Sequence, residues 1–257
     1  MKKVYPTIKS VLGLGFQLAK AKFKLRNEGS FLGIFWYLLE PFLLFLIILV
    51  IRGAFKVQDI SNYPLYLLLG LIMYNFFTGT TSRTTEVITG NSNFIKNMRI
   101  NHESLVLSQV LESVFSHFFE VILFIIFMIF FNASLITILF YPLIFIFFFF
   151  FILGLSFILA TIGVYINDLG NIWRVFTRFL FFLTPLFYVV NRQQTFIYVF
   201  NLFNPLFHFI NISREIIIYK TMPGIHVIII LALASLVFLV LGIIIFEKFK
   251  NKFAERV

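Results

Sequence analysis

Six stretches of this chain run for about 20 residues or more with few charges, at residues 31–51, 63–81, 104–131, 135–166, 172–190 and 225–246. An α-helix rises about 1.5 Å per residue, so about 20 apolar residues cross a hydrocarbon core. A water-soluble domain has no use for so many runs of this length. Sixty per cent of the 257 residues are hydrophobic and 39 are Phe, and the mean hydropathy is +0.98. The solvent for this sequence is a bilayer. The expected fold is an all-α membrane protein with six transmembrane helices. The third and fourth runs exceed the minimum and are expected to tilt or protrude. The short turn at residues 132–134 makes them a tight helical hairpin, and most of the Phe is expected to face lipid.

Basic residues set the orientation. With both termini cytoplasmic, 16 of the 21 Lys and Arg fall inside, leaving Arg52, Lys56, Arg192, Arg214 and Lys220 outside. That bias favours an even number of spans. It also accounts for the net charge of +10 by topology and contact with anionic lipids, not by nucleic-acid binding.

Residues 1–28 lack the apolar core and cleavage site of a secretory leader. Ile8, Val11, Leu12, Phe16, Ala19 and Phe23 recur at helical spacing, with Lys9, Lys20 and Lys24 off that stripe. This predicts an amphipathic helix on the cytoplasmic face. The connection at residues 83–103 carries Val87, Ile88, Phe94, Ile95, Met98 and Ile100 among its charges. It reads either as a short helix presented to a partner or as a membrane-hugging connector. Residues 191–224 hold two apolar pieces broken at Asn204 and Pro205, each too short to cross. They suit a re-entrant or interfacial helix pair at the outer face. Arg214 and Glu215, inside the second piece, face a path or form a local ion pair.

Polar groups within the spans narrow the chemistry. Trp36 and Glu40 are i and i+4 on one helical face, with Tyr37 beside them and Pro41 following. Glu40 either contacts a substrate or is a packing carboxylate beside the Pro41 break. Glu112, Ser116, His117 and Glu120 make a polar stripe on the third span. His117 and Glu120 are two ligands and not a metal site. The chain has no Cys and only two Asp, Asp59 and Asp168. It contains no Asp-x-Asp, no His-Glu-x-x-His and no phosphate loop of the Gly-x-x-x-x-Gly-Lys-Ser/Thr type. No metal, cofactor or catalytic residue is therefore assigned to it, and any ATP hydrolysis belongs to another chain.

Three signatures recur in order: Leu-Gly-x-x-Trp-x-x-Leu-x-Pro from Leu32 to Pro41, Asn167-Asp168, and Thr184-Pro185-Leu186-Phe187-Tyr188, with Asn204-Pro205-Leu206 and Arg214 downstream. With the basic start ending in Lys-Leu-Arg-Asn-Glu-Gly-Ser-Phe-Leu-Gly, the Tyr63 to Tyr74 entry and the Asn93 to Arg99 loop, the chain resembles the permease subunit of ABC-2 type polysaccharide exporters. That group exports O-antigen, capsule and teichoic acid. The resemblance covers almost the whole length as one transmembrane domain, residues 1–257. Asn167 stands where the family often has Arg, and Thr184 where it often has Ser.

The resemblance implies a homodimer in the cytoplasmic membrane, each subunit docked on a separate ATPase subunit that binds ATP and Mg. Val87, Phe94, Lys96 and Arg99 would then belong to the loop that receives the ATPase. The first and fifth spans would line a channel for a lipid-linked glycan. Trp36, Tyr37, Glu40, Phe187, Tyr188 and Arg214 are the candidate channel residues, because sugar rings slide along aromatic faces. Lys24 or Arg26 would meet the lipid diphosphate at the cytoplasmic entrance. The rivals are an ABC-2 exporter of a small hydrophobic drug or lipid, and a membrane-integral transferase acting on lipid-linked sugars. The lean outer loops favour the polysaccharide branch, and Glu40, Glu112 and His117 are poor material for an acid/base set.

Overall fold

In chain order the helices are α1 (Ile8–Asn27), α2 (Trp36–Ala54), α3 (Tyr63–Thr84), α4 (Ser92–Asn97), α5 (His102–Phe130), α6 (Tyr141–Tyr165), α7 (Leu169–Leu183), α8 (Thr195–Leu202), α9 (Pro205–Ile217), α10 (Ile225–Phe249) and α11 (Phe253–Arg256). The computed structural model describes residues 8–28, 31–54, 60–97, 100–190, 193 and 195–256, and no strand occurs among them. Lys2, Lys3, Lys56, Arg99 and Arg192 lie outside the described residues.

The centre of the bundle is α3. Sixteen of its 22 residues are buried, because α2, α5, α6, α7 and α9 surround it. Its last turns carry Thr80, Thr81 and Thr84, whose hydroxyls donate to the carbonyls four residues earlier at 2.6–2.7 Å. A threonine satisfied within its own helix is tolerated in an apolar interior. Among the described residues, four helical segments are long and apolar enough to cross a membrane: Gly33–Gly53, His102–Phe130, Leu135–Tyr165 and Ile225–Lys252. A fifth is added if α8 and α9, bent by 89° at their junction, count as one broken span. The expected second and fifth spans fall outside this group. The polar final turns of α3 separate it from the rest, and α7 has only 15 residues, about 22 Å of helix.

The α7 helix stops seven residues before the expected end of its span. Pro185 disfavours helical geometry in the residue before it, and Thr184 is accordingly extended, with ψ 131°. The turn after α5 obeys equally local rules. Asn132 adopts φ 51°, Ala133 N–H donates to Met128 O at 2.8 Å, and Asn132 N–H to Ile129 O at 3.1 Å. This is a Schellman ending with Asn in place of Gly. A 3-10 segment, Leu135–Phe140, then leads into α6.

Small residues set the closest helix contacts. A Cβ on Gly242 would stand 2.2 Å from Gly154 O, and one on Gly154 would stand 2.3 Å from Phe238 O. In a membrane, such residues let α6 and α10 approach and collect dispersion energy that lipid cannot replace. The α1 helix docks on α5 in the same way, through buried Gly15 and Ala19. Ser104 Oγ donates to Val11 O at 3.1 Å and Lys22 Nζ to Ser108 Oγ at 3.1 Å. Burial against α5 lowers the Lys22 pKa, opposed by the nearby Glu112 carboxylate. The expected apolar stripe is divided: Val11, Ala19 and Phe23 pack on the bundle, whereas Ile8, Leu12 and Phe16 remain exposed and available to lipid.

The Phe residues do not all face lipid. Phe124, Phe148, Phe209, Phe246 and Phe253 are enclosed, and Phe148 meets Phe209 at 5.0 Å between ring centroids. At the end of the bundle shared by the chain's C-terminal helix and the start of α5, Phe253 packs edge-on against His102. There Lys250 binds both Glu103 and Glu247.

Candidate functional site

Breaking a helix at Thr184 leaves a run of carbonyls without helical donors, and the rest of the fold supplies them. Phe182 O accepts from Tyr188 Oη at 2.8 Å, and Leu183 O from Asn201 Nδ2 at 2.9 Å and Tyr188 Oη at 3.0 Å. Thr184 O accepts from Leu186 N–H at 2.7 Å. Arg214 donates to Pro185 O and Leu186 O, each at 2.8 Å. Phe187 O accepts from Tyr63 Oη at 3.2 Å and Tyr188 O from Tyr66 Oη at 2.9 Å. Every carbonyl from Phe182 to Tyr188 is therefore satisfied, which is the condition for irregular backbone at membrane depth.

The Asn-Pro-Leu sequence completes this clamp. Asn204 caps α9 by accepting from Leu206 N–H at 3.1 Å, with Pro205 at the first helical position. Its amide donates to Thr184 Oγ1 at 3.0 Å. The two motifs of the sequence are thus halves of one structure. Arg214 is 1% exposed and stacks on Tyr66 at 3.4 Å from the ring centroid. Gly70 leaves room for it, since a Cβ there would lie 2.3 Å from Nη2. Arg214 was expected to face a path or to form a local ion pair with Glu215; every one of its nitrogens donates to a backbone carbonyl. Glu215 turns to Asn211 Nδ2, at 2.8 Å.

The remaining candidate channel residues divide between two ends of the bundle. Phe187 and Tyr188 are partly exposed at the end where Arg52 stacks on Tyr63 at 3.6 Å. Trp36 and Glu40 start α2 at the opposite end; Arg52 lies 16 residues beyond Trp36, about 24 Å along the helix. Trp36 and Glu40 are exposed, whereas Tyr37 is buried. Tyr37 stacks with Phe23 and Phe119 at 5.7 and 6.3 Å, and its hydroxyl has no hydrogen-bond partner among the described residues.

Lys24 and Arg26 also part company, because i and i+2 point to different faces of a helix. Lys24 reaches outward to Glu28 at 3.6 Å. Arg26 turns inward to Glu112 at 3.0 Å and lies over the Tyr37 ring at 5.0 Å. Arg83 approaches the same Glu112 oxygen at 3.8 Å, and its Nη2 donates to Ser113 Oγ at 3.0 Å. Arg26, Tyr37, Arg83 and Ser113 border a cavity of about 170 Å³ with Glu40, His117 and Glu120. His117 bonds to Glu120 Oε2 at 2.9 Å and to Tyr141 Oη at 2.6 Å. A groove of about 520 Å³ shares Glu40, Thr78, Gly79 and Arg83 with this cavity and continues to Arg174 and Arg178. Sequence reasoning used Arg83, Arg174 and Arg178 only to orient the chain; the signal for more was the i, i+4 spacing of the last two.

In the expected coupling loop, Val87 and Ile88 are buried and anchor the segment with Ile95. Phe94 and Lys96 remain exposed on α4. Arg99 lies outside the described residues.

Comparison with known proteins identifies the family. The family model described as ABC-2 type transporter matches residues 14–218. The chain is 25% identical over 248 residues to the O-antigen export system permease protein RfbA of Myxococcus xanthus, covering 95% of each. Two proteins of the same name from Klebsiella pneumoniae are 27% and 26% identical over 236 residues, covering 90% of each chain. A match over about four-fifths of an apolar helical chain places the protein in the ABC-2 type transporter family of membrane proteins.

Proposed function

We propose that this chain is the permease subunit of an ATP-driven exporter that moves a lipid-linked polysaccharide, such as an O-antigen, across the cytoplasmic membrane. The observation that carries the reading is near-full-length similarity to three proteins named as O-antigen export permeases. Two copies of the chain form the channel, and each docks on a separate ATPase subunit that holds ATP and Mg. Six helices cross the membrane, with both termini cytoplasmic. The α7 helix completes its crossing with the clamped backbone after Thr184, and α8 and α9 form an outer rim.

The division of α4 supports this docking. Buried Ile95 fixes the short helix to the bundle, while Phe94 and Lys96 are left outward. A firmly anchored helix can transmit a push from an ATPase to α3 and α5 as a rigid-body movement. Trp36, Glu40, Phe187 and Tyr188 line the glycan path between the two copies, and Lys24 and Arg26 stand near its cytoplasmic entrance. Phosphoryl chemistry belongs to the ATPase, so the permease performs mechanical work.

Affinity purification of the tagged chain from gently solubilised membranes tests this assignment. An ATP-binding subunit is expected at one copy per permease, and deletion of the permease should abolish surface glycan while leaving the lipid-linked precursor inside. Recovery of the chain alone, under conditions that keep a comparable transporter whole, would overturn it.

A further inference from the structure

The groove between α3 and α7 holds more positive charge than its own carboxylate balances. Arg83 rises from the end of α3; Arg174 and Arg178, one helical turn apart on α7, complete its basic wall. Among the described residues Glu40 is the only acidic one lining it. Arg174 and Arg178 are exposed and form no ion pair among the described residues. Buried Arg83 Nε has no hydrogen-bond partner among the described residues, although its other nitrogens reach Ser113 and Glu112. Two exposed guanidinium groups one helical turn apart, with no counter-charge on either among the described residues, are arranged to receive an anion.

We infer that Arg83, Arg174 and Arg178 form a binding site for the diphosphate group of the lipid carrier. Guanidinium forks match phosphate oxygens in pairs, and the hydroxyl of Ser82 on the same groove can act as a further donor. With Arg83 already facing Glu112, Arg174 and Arg178 against Glu40 supply an excess of positive charge that suits a diphosphate ester, and a groove of about 520 Å³ has room for the group. The sequence suggested Lys24 or Arg26 for this task. Lys24 instead pairs outward with Glu28, and Arg26 is held by Glu112. The lipid carrier is taken from the polysaccharide-permease reading; the anion site itself rests on the arginines.

The test uses the full chain with its ATPase partner in nanodiscs of phosphatidylcholine. Trp36→Phe leaves Trp173, adjacent to Arg174, as the sole tryptophan in this chain; a partner tryptophan is controlled by titrating the same complex carrying Trp173→Phe. A polyprenyl diphosphate, inorganic pyrophosphate and phosphatidylglycerol are titrated separately. Saturable binding of the polyprenyl diphosphate is expected, weakened at least about tenfold by Arg174→Gln with Arg178→Gln. Arg174→Lys with Arg178→Lys should recover part of it, since charge remains without the fork.

Competition by inorganic pyrophosphate would support recognition of the diphosphate itself. Equal binding of pyrophosphate and the lipid would support the anion site and identify a soluble source. Binding of phosphatidylglycerol alone, no saturable binding, or unchanged affinity in a folded double-glutamine variant would overturn the inference. Such a failure with the ATPase still bound one-to-one would leave the permease assignment standing. Loss of the ATPase association with diphosphate binding intact would do the reverse.

Discussion

The Arg214 guanidinium lies 3.4 Å from the centre of the Tyr66 ring, and the Tyr66 carbonyl accepts from its Nε at 3.1 Å. The same arginine holds Pro185 O and Leu186 O, so one side chain joins α9, α3 and the break after α7. Its place in a membrane protein follows from the break. Without these donors, Leu186 O would have no partner among the described residues, at a residue that is fully buried.

Arg214→Gln is expected to destabilise the fold by about 1–3 kcal/mol, the cost of leaving a buried carbonyl unpaired. Arg214→Lys should rescue little, because an ammonium cannot reproduce the planar fork across two carbonyls. Gly70→Ala should act in the same direction, since its Cβ would stand 2.3 Å from Arg214 Nη2. Thermal unfolding in detergent checks all three, and a wild-type melting temperature in each would remove the clamp from the account.

Gly242→Leu should separate α6 from α10. Even the first added carbon would meet Gly154 O at 2.2 Å, and backbone cannot rotate away as a side chain can. Overpacking of this kind costs about 1–3 kcal/mol, read as a lower melting temperature. An exposed neighbour such as Leu241→Ala is the comparison and should change little, as Leu241 is 48% exposed.

Much of the helical order was legible because apolar runs and local stop signals carry it. Asn132 ended α5 by a rule confined to a few residues, and Asn204 with Pro205 marked the start of α9. The limit of α7 was legible too: Pro185 stood in the motif, but the apolar run through Val190 outweighed it in the span count. Arg214 was harder. Its partners Tyr66, Pro185 and Leu186 are distant in sequence, and a carbonyl in need of a donor leaves no trace in composition. The convergence of Arg83 with Arg174 and Arg178 was hidden for the same reason.

The outward face of α4 should matter for partner binding and not for folding. Phe94→Ala with Lys96→Glu is expected to reduce recovery of the ATPase subunit at least about tenfold, as loss of an aromatic anchor and a reversed charge would produce. Its melting temperature should stay close to wild type, because both residues are exposed. Ile95→Ser should instead lower stability, since Ile95 packs in the cluster with Val87 and Ile88. Full ATPase recovery by the double variant would remove α4 from the docking surface.

The docking of α1 on α5 can be trapped directly, because the chain has no cysteine of its own. Asn101 Nδ2 lies 3.5 Å from Ser10 Oγ, so Ser10→Cys with Asn101→Cys should form a disulfide under mild oxidation. Arg26 and Arg83 share Glu112 further along the same contact. Glu112→Gln removes the charge that holds them and leaves Arg26 free to swing out. The cross-link should therefore form more slowly in the Glu112→Gln background, measured as the rate of the mobility shift on a denaturing gel. An unchanged rate would mean that Gly15 and Ala19 hold α1 by packing alone.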